Sequence, residues 1–227
     1  MEIPHEAPVM TLPGVTLLPE ALLPLHIFEL RYRRMLASVL RSHRMFVMAM
    51  QKPGSAKPAP SAVACLGLVS VCVAHADGTS HLILQGLTRV ELTKTIRQKP
   101  FPVCQIKPLR APATDSVTVD ALMARLRDLV TERIQLSMAA GSPAAKKANA
   151  KFKASKSLLT VPVIMGCLEK LTNPDQVADL VSSTMLSRPA QKQIILETVE
   201  IEPRLKHLIH FLMDENMRRQ TKSGTNE

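Results

Sequence analysis

The stretch LLPLHIFELRYRRML, residues Leu22 to Leu36, decides how the first half of the chain folds. Its first residues are apolar and predict a strand from Leu22 to Phe28. From residue 29 the spacing becomes helical, because the apolar side chains recur at the intervals of one helical face. That face comprises Tyr32, Met35, Leu36, Val39 and Leu40. The arginines of the predicted helix then lie mostly on the opposite face, in contact with water.

The rest of the first 110 residues also has the pattern of strands separated by turns. The pair Asp77-Gly78 predicts a tight hairpin, because both residues tolerate the positive φ angles of a primed turn. Besides Leu22 to Phe28, the predicted strands are Val9–Val15, Met45–Met50, Val63–Ala74, Thr88–Thr95 and Val103–Leu109.

Beyond residue 112 the pattern changes to helices. An apolar stripe from Val119 to Ile134 predicts a long helix, with Asp115 or Thr118 as its cap. A second helical stretch is predicted from Thr160 to Leu171. Further helices are predicted after the cap Asn173-Pro-Asp-Gln, after Ser187-Arg-Pro and after Glu202-Pro. The chain therefore divides into residues 1–112, which are β-rich, and residues 113–227, a helical bundle, in an α+β layout.

The formal net charge of +10 is concentrated unevenly along the chain. No acidic residue occurs between Glu132 and Glu169, whereas Arg133 and five lysines do. Such a segment is either a solvated, mobile loop or a contact for a polyanion, since basic residues neutralise phosphates. The scarcity of aromatic residues argues against a platform for stacking nucleic-acid bases.

The sequence lacks the motifs of the common catalytic and cofactor sites. None of its glycines forms a phosphate-binding loop, and neither a G-x-S-x-G nor an H-E-x-x-H motif is present. His207 and His210 stand three apart on a predicted helix, but two histidines are not a metal site, and His26 with Glu29 is an unremarkable turn pair. The cysteine spacing fits neither a metal knuckle nor a disulfide framework. We therefore expect no catalytic residue, no cofactor and no metal.

No apolar run reaches the length of a membrane span, and the N-terminus lacks the pattern of a signal peptide. These observations predict a soluble, cytoplasmic protein without a membrane partner.

Three stretches together carry a family resemblance. They are LPLHIFELRYRRML at residues 23–36, LGLVSVCVAHADGTSHLILQGLTRVEL at residues 66–92, and VADLVSSTMLSRPAQKQIILETVEIEPRLKHLIHFLMDE at residues 177–215. In this order they resemble the N-terminal domain of Lon proteases, from about Val9 to Asp214. The resemblance implies a PUA-like, distorted β-barrel followed by a C-terminal helical bundle. The linker, ATPase and Ser–Lys protease regions of the family have no counterpart in these residues, so no catalytic residue can be placed.

The resemblance also implies a function. In Lon proteases this domain is implicated in recognising substrates, so it implies a non-catalytic module that binds unfolded or acidic protein segments, and that could be an adaptor in proteolysis. The alternative is an RNA-binding module that uses the barrel and the basic surface. We expect Leu25, Ile27, Phe28, Tyr32, Met35 and Leu36 to seal the barrel. The candidate binding residues are Arg31, Arg33, Arg34, Lys146, Lys147, Lys151, Lys153 and Lys156.

Overall fold

A computed structural model describes residues 2–54, 59–111, 116–139 and 171–224. The chain forms two compact units. The first contains residues 1–111 and 188–199, and the second contains residues 112–187 and 200–227. The predicted α+β class is confirmed, because the first unit is built on a β-sheet and the second is helical where it is described.

The sheet of the first unit has six strands. They are β1 (Glu6–Leu12), β2 (Leu22–Ile27), β3 (Met45–Met50), β4 (Val63–Ala74), β5 (Ser80–Arg97) and β6 (Val103–Pro108). Their order is β2-β5-β4-β3-β1-β6, and β6 also pairs with β5, so five strands form a closed ring with β2 outside it. Register shifts interrupt both the β4–β5 and the β5–β6 pairing, so the ring is not a regular barrel. Its core includes Val9, Val47, Ala49, Leu66, Val90 and Ile106.

The described residues also form five helices. They are α1 (Leu30–Leu40), α2 (Val117–Ala139), α3 (Pro174–Met185), α4 (Pro189–Glu197) and α5 (Ile201–Gly224). No helix in the described ranges combines the length and the apolar character that a membrane span requires. The predicted helix from Thr160 to Leu171 lies outside these ranges.

Strand β5 is longer than predicted, because Gly86 does not interrupt it. The 18-residue strand pairs with β2 and β4 in its first part and with β6 in its last part. At Gly86 the backbone of residues 18–21 approaches closely, and Gly86 donates to the carbonyl of Ala21 and accepts from the amide of Glu20. A Cβ atom at position 86 would lie 2.1 Å from the carbonyl oxygen of Leu18. The glycine therefore permits a close crossing of the backbone rather than ending the strand.

The ends of the other strands follow their turn residues. Strands β3 and β4 have the predicted bounds, and the Asp77-Gly78 turn joins β4 to β5, with Gly78 at φ +79°. Strand β1 ends at Leu12 rather than at the predicted Val15, since Gly14 takes a left-handed conformation at φ +64°. Helix α1 buries Tyr32, Met35 and other predicted residues of its apolar face.

Helix α4 belongs to the first unit, although the predicted division at residue 112 places it with the other helices. It contacts the sheet through polar side chains as well as through apolar packing. The side-chain amide of Gln193 donates to the carbonyl of Val63 at 2.9 Å. From β5, the Nε of Arg89, which is buried, donates to the carbonyl of Leu196 at 3.2 Å. These bonds satisfy buried polar groups on both partners, and a helical sequence pattern alone carries no such information.

In the described part of the second unit, two buried arginines form ion pairs. The guanidinium of Arg133 on α2 lies 2.7 Å from the Glu215 carboxylate on α5, and both side chains are buried. Arg133 also donates to the side chain of Asn216 and to the carbonyl of Met185. Arg133 therefore ties three helices together and is not part of a basic surface segment.

Arg204 of α5 forms the second pair. Its guanidinium is 2.8 Å from the Asp175 carboxylate and 3.9 Å from that of Asp179, both on α3. The side chains of Arg204 and Asp179 are buried, whereas that of Asp175 is about half exposed, so water also solvates the closer of the two carboxylates.

The starts of α2 and α3 show one wrong and one correct prediction of a cap. The side chain of Asn173 accepts hydrogen bonds from the amides of Asp175 and Gln176, as predicted. In α2, the hydroxyl of Ser116 accepts from the amide of Thr118, so the predicted Thr118 cap is wrong. The other predicted cap, Asp115, lies outside the described residues. Serine and threonine are both common caps, so residue type alone does not fix the position.

Replacing Gly86 with alanine tests the close crossing on β5. We expect Gly86→Ala to lower the free energy of unfolding by about 2 kcal/mol or more, because the backbone of Leu18 cannot move aside cheaply. Urea denaturation followed by circular dichroism measures this. The control is Gly54→Ala, whose φ is +73° but whose Cβ would meet no atom within 4 Å. The control should lose only about 1 kcal/mol, and equal losses would contradict the close crossing.

Replacing Arg133 with methionine tests the buried pair. We expect Arg133→Met to cost about 3 kcal/mol or more, because it leaves the carboxylate of Glu215 buried without its main partner. The double variant Arg133→Met/Glu215→Met should recover much of that loss. As a control, Lys206→Ala removes an exposed pair with Glu202 and should cost about 0.5 kcal/mol or less. A single Arg133 variant as stable as the control would show that the pair is unimportant.

Candidate functional site

The predicted binding arginines lie at the start of α1 and differ in their surroundings. The Nε of Arg31 donates to the Glu29 carboxylate at 2.9 Å, and its guanidinium stacks 4.4 Å from the ring of Tyr32. Arg34 is exposed to solvent. The other candidates lie outside the described residues: Lys146, Lys147, Lys151, Lys153 and Lys156.

Arg33 reaches the hairpin turn between β4 and β5. Its guanidinium lies directly over Gly78, where any side chain on residue 78 would collide with it. In the same turn, the Asp77 carboxylate accepts from the amide of Thr79 at 2.9 Å and from its hydroxyl at 2.8 Å. These two hydrogen bonds hold the pKa of Asp77 below its ordinary value, and His75 and Arg33 lower it further. The turn therefore keeps an ionised carboxylate beside a guanidinium.

Phe28 contradicts the prediction that it helps to seal the sheet. Ile27, Tyr32, Met35 and Leu36 are buried as predicted, whereas the Phe28 side chain is 61% exposed. Phe28 follows β2 by one residue, and the alternation of side chains along a strand turns it away from the buried Ile27. The apolar residues of LLPLHIFEL therefore lie partly on the buried face of the sheet and partly on its exposed face.

The exposed side chains of β2, β5 and β4 form a largely apolar surface, which we call the apolar face. Its side chains lie in rows across the three strands. One row runs from Pro24 through Ile83 to Val71. The next runs from His26 through His81 to Val73. Leu22, Phe28, Val71 and Val73 are all about half exposed or more. The apolar face comprises Leu22, Pro24, His26, Phe28, Val71, Val73, His81 and Ile83.

The composition of this face is unusual for a solvated sheet surface. Antiparallel strands commonly alternate between apolar residues on the core side and polar residues on the water side. On β5 the rule holds in part, because the buried Leu82 and Leu84 alternate with His81, Ile83 and Gln85. On β2 and β4 it fails, since Leu22, Val71 and Val73 are about half exposed. Contiguous exposed apolar surface of this kind is typical of an interaction site.

Strand β2 forms one edge of the sheet, and Pro24 stands in its middle. Proline has no amide proton to donate, so it interrupts the row of hydrogen-bonding groups that another strand would need. The edge is therefore poorly suited to strand addition. A partner would dock on the face of the strands rather than beside β2.

Three histidines lie at the centre of the apolar face and at its turn end. The rings of His26 and His81 stack at a centroid distance of 4.5 Å and an angle of 17°. The Nε2 of His75 is 2.7 Å from the Nδ1 of His81, and their rings meet edge to face. Phe28 packs against His26 at 5.6 Å.

From the sequence, His26 was paired with Glu29, but in the structure the two residues have different partners. Glu29 binds Arg31, whereas His26 stacks on His81. The Asp77-Gly78 signal could have indicated that His75 and His81 lie close together, because both residues flank the same tight turn. The contact of His81 with His26 depends on the pairing of β2 with β5, which no local pattern predicts.

Within the described residues, no group of three or more histidine, cysteine or acidic side chains is arranged to hold a metal ion. His210 on α5 lies 3.9 Å from Asp214, and both His207 and His210 lie near the ring of Phe211. Burial raises the pKa of the Tyr32 hydroxyl, which donates to the carbonyl of Thr11 at 3.0 Å. Tyr32 thus acts as a neutral, structural hydrogen-bond donor.

Two solved structures share this fold. The N-terminal domain of the Mycobacterium avium complex Lon protease covers 92% of this chain and 98% of its own, with a TM-score of 0.65 and 18% identity. A Lon N-terminal domain protein from Xanthomonas campestris covers 91% of this chain and 98% of its own, with a TM-score of 0.61 and 17% identity. These likenesses show the fold.

Sequence comparison gives the same family. The Lon protease of Desulfosudis oleivorans is 23% identical over 217 residues, which are 93% of this chain and 24% of that protein. The Lon protease of Methylocella silvestris is 25% identical over 200 residues, 83% of this chain and 22% of that protein. The chain thus spans about a quarter of the length of these relatives. The family model of the ATP-dependent protease La (LON) substrate-binding domain matches residues 6–214, and the chain belongs to this family.

Proposed function

We propose that this protein is a non-catalytic protein-binding module that captures extended, unfolded polypeptide segments on the apolar face. Membership of a substrate-binding domain family supports protein binding in general. The observation that carries the specific proposal is the set of exposed apolar side chains on β2 and β4, with the half-buried Ile83 of β5 between them. Folded proteins bury such side chains, so an exposed row is complementary to segments that have lost their own core.

The shape of the face favours an extended segment. Three adjacent strands present their side chains in rows about 4.8 Å apart, and an extended chain projects alternate side chains to one side. Alternate residues of a segment could therefore contact Phe28, Val73 and Ile83 while the intervening residues face water. Burying one large apolar side chain in such a contact contributes about 1.5 kcal/mol or more.

The charges around the face favour acidic segments. Arg33 lies over the hairpin turn at one end, and Arg34 is exposed on α1, which begins just after Phe28. The chain as a whole carries a net charge of +10. Exposed cations mainly accelerate the encounter with an acidic partner and are screened by salt. The proposed partner is therefore an unfolded segment in which apolar residues alternate with polar or acidic ones.

In a cell, such a module would act as an adaptor in proteolysis, holding an unfolded protein for a protease. The relatives are named Lon proteases, which makes this role the most direct one for a protein-binding face. The cytoplasmic location and the RNA-binding alternative stay predictions from the sequence.

The double variant Val71→Thr/Val73→Thr tests the apolar face. Threonine keeps the shape and the strand preference of valine but adds a hydroxyl, so we expect the fold to persist and binding to weaken about tenfold. The probe is a reduced, carboxymethylated and fluorescently labelled polypeptide that cannot fold, and its binding is followed by fluorescence anisotropy. Phe28→Ser should weaken binding to a similar degree.

The matched control is Val117→Thr, the same replacement at a valine that is 86% exposed at the start of α2. It should bind the probe as the unmodified protein does. Equal affinity in all variants would refute the proposal for this face. Labelled single-stranded RNA serves as a second probe, and tight, salt-dependent RNA binding with no binding of the polypeptide would favour the RNA alternative.

The five candidate lysines give a separate prediction. Replacing Lys146, Lys147, Lys151, Lys153 and Lys156 with glutamine should change the free energy of unfolding by less than about 1 kcal/mol, because unpaired lysines are almost never fully buried in proteins and glutamine is also polar. Association with the carboxymethylated probe, measured by stopped flow, should be slower at low salt and unchanged at high salt. An unchanged rate at low salt would show that these lysines do not contribute to the encounter.

A further inference from the structure

Two histidines of the apolar face, His26 and His81, lie beside a third, His75, in the turn between β4 and β5. His26 lies on β2 directly opposite His81 on β5, and His75 follows the end of β4. The contacts are a parallel stack between His26 and His81 and a 2.7 Å approach between His75 and His81. His81 therefore contacts both of the other rings.

The three rings cannot all carry a proton cheaply. In the neutral cluster, one nitrogen of the His75 and His81 pair donates to the other. A second positive charge would place like charges on directly opposed residues of neighbouring strands, which is unfavourable. A single positive charge is favoured by the stack, because a cation over an aromatic face is attracted to it. An anion brought to the cluster would offset the repulsion and favour further protonation.

Within the described residues, no carboxylate contacts the stacked rings of His26 and His81. Glu29, after β2, binds Arg31. The ionised carboxylate of Asp77 is held in the turn by Thr79 and interacts with His75 and Arg33 at the turn end of the cluster. Arg33 of α1 lies over Gly78 and adds positive charge. The other face residues of β4 and β5 next to the cluster, Val73 and Ile83, are uncharged.

We propose that the histidine cluster selects segments that carry a carboxylate between apolar residues, and that it takes up a proton when such a segment binds. The inference rests on the proposed function of the apolar face. The carboxylate accepts a charge-assisted hydrogen bond from an imidazolium, which is stronger than a bond between neutral groups. The apolar side chains on either side of the carboxylate pack on Phe28, Val73 and Ile83.

Two labelled peptides, each nine residues long, test the selection. Both have valines at alternate positions and serines between them, and the central valine is replaced by aspartate in one and by asparagine in the other. Affinity is measured by fluorescence anisotropy at pH 8 and at pH 6, a range across which imidazoles gain protons while the aspartate stays ionised. We expect the aspartate peptide to bind about tenfold more tightly at pH 6. The asparagine peptide should change less than about twofold.

Calorimetry in buffers of different ionisation enthalpy then measures the protons taken up. The aspartate peptide should take up a net proton at neutral pH, and the asparagine peptide should not. The triple variant His26→Gln/His75→Gln/His81→Gln should lose both the pH dependence and the proton uptake, yet still bind the asparagine peptide. The control variant His207→Gln/His210→Gln, on α5, should behave as the unmodified protein does. Thermal melting shows that each variant is folded.

The outcomes separate the two proposals. If the asparagine peptide binds, if Val71→Thr/Val73→Thr weakens its binding, and if the aspartate peptide shows no pH dependence, the histidine inference is wrong and the apolar face stands. If neither peptide binds at either pH, both proposals are wrong. If the triple variant is folded and keeps the full pH dependence, another group provides the proton, and the inference is wrong.

Discussion

The first unit depends on the ability of β5 to run without interruption past the backbone of residues 18–21. Its first part pairs with β2 and β4, and its last part pairs with β6, which closes the ring of strands. This continuity requires Gly86, because a side chain there would collide with the carbonyl of Leu18. Because β5 is continuous, it pairs with β2 in its first part and with β6 in its last part. Both the apolar face and the closed ring therefore depend on this one strand.

Local sequence signals predicted the parts of the fold that short-range physics determines. The Asp77-Gly78 turn gave the end of β4, the spacing after Phe28 gave the buried face of α1, and Asn173 gave the start of α3. The predicted strand began only at Thr88, because a glycine such as Gly86, which permits a close crossing within a strand, looks in sequence like one that lies outside a strand. The contacts of α4 with the sheet involve residues more than a hundred positions apart in the chain.

The candidate site was less predictable than the fold, for a related reason. Which face of β2 is buried depends on the partners of the strand, so residue types alone did not show whether Ile27 or Phe28 lies on the buried side. The histidine cluster required both the hairpin and the pairing of β2 with β5. Arg31 and Arg33 were among the predicted binding residues, but only the structure shows that the first binds Glu29 and the second lies over Gly78.

Buried and surface polar groups are arranged in opposite ways, and this contrast bears on function. In the interior of the second unit, Arg133 pairs with Glu215 and Arg204 pairs with Asp175, so both buried guanidinium groups have partners. A buried, paired charge has little left to offer a partner. On the apolar face the histidines contact one another and remain accessible, and within the described residues no carboxylate contacts the stacked rings of His26 and His81. A site for a changing set of unfolded partners needs groups of the second kind, because its hydrogen-bonding capacity must be completed by whatever binds.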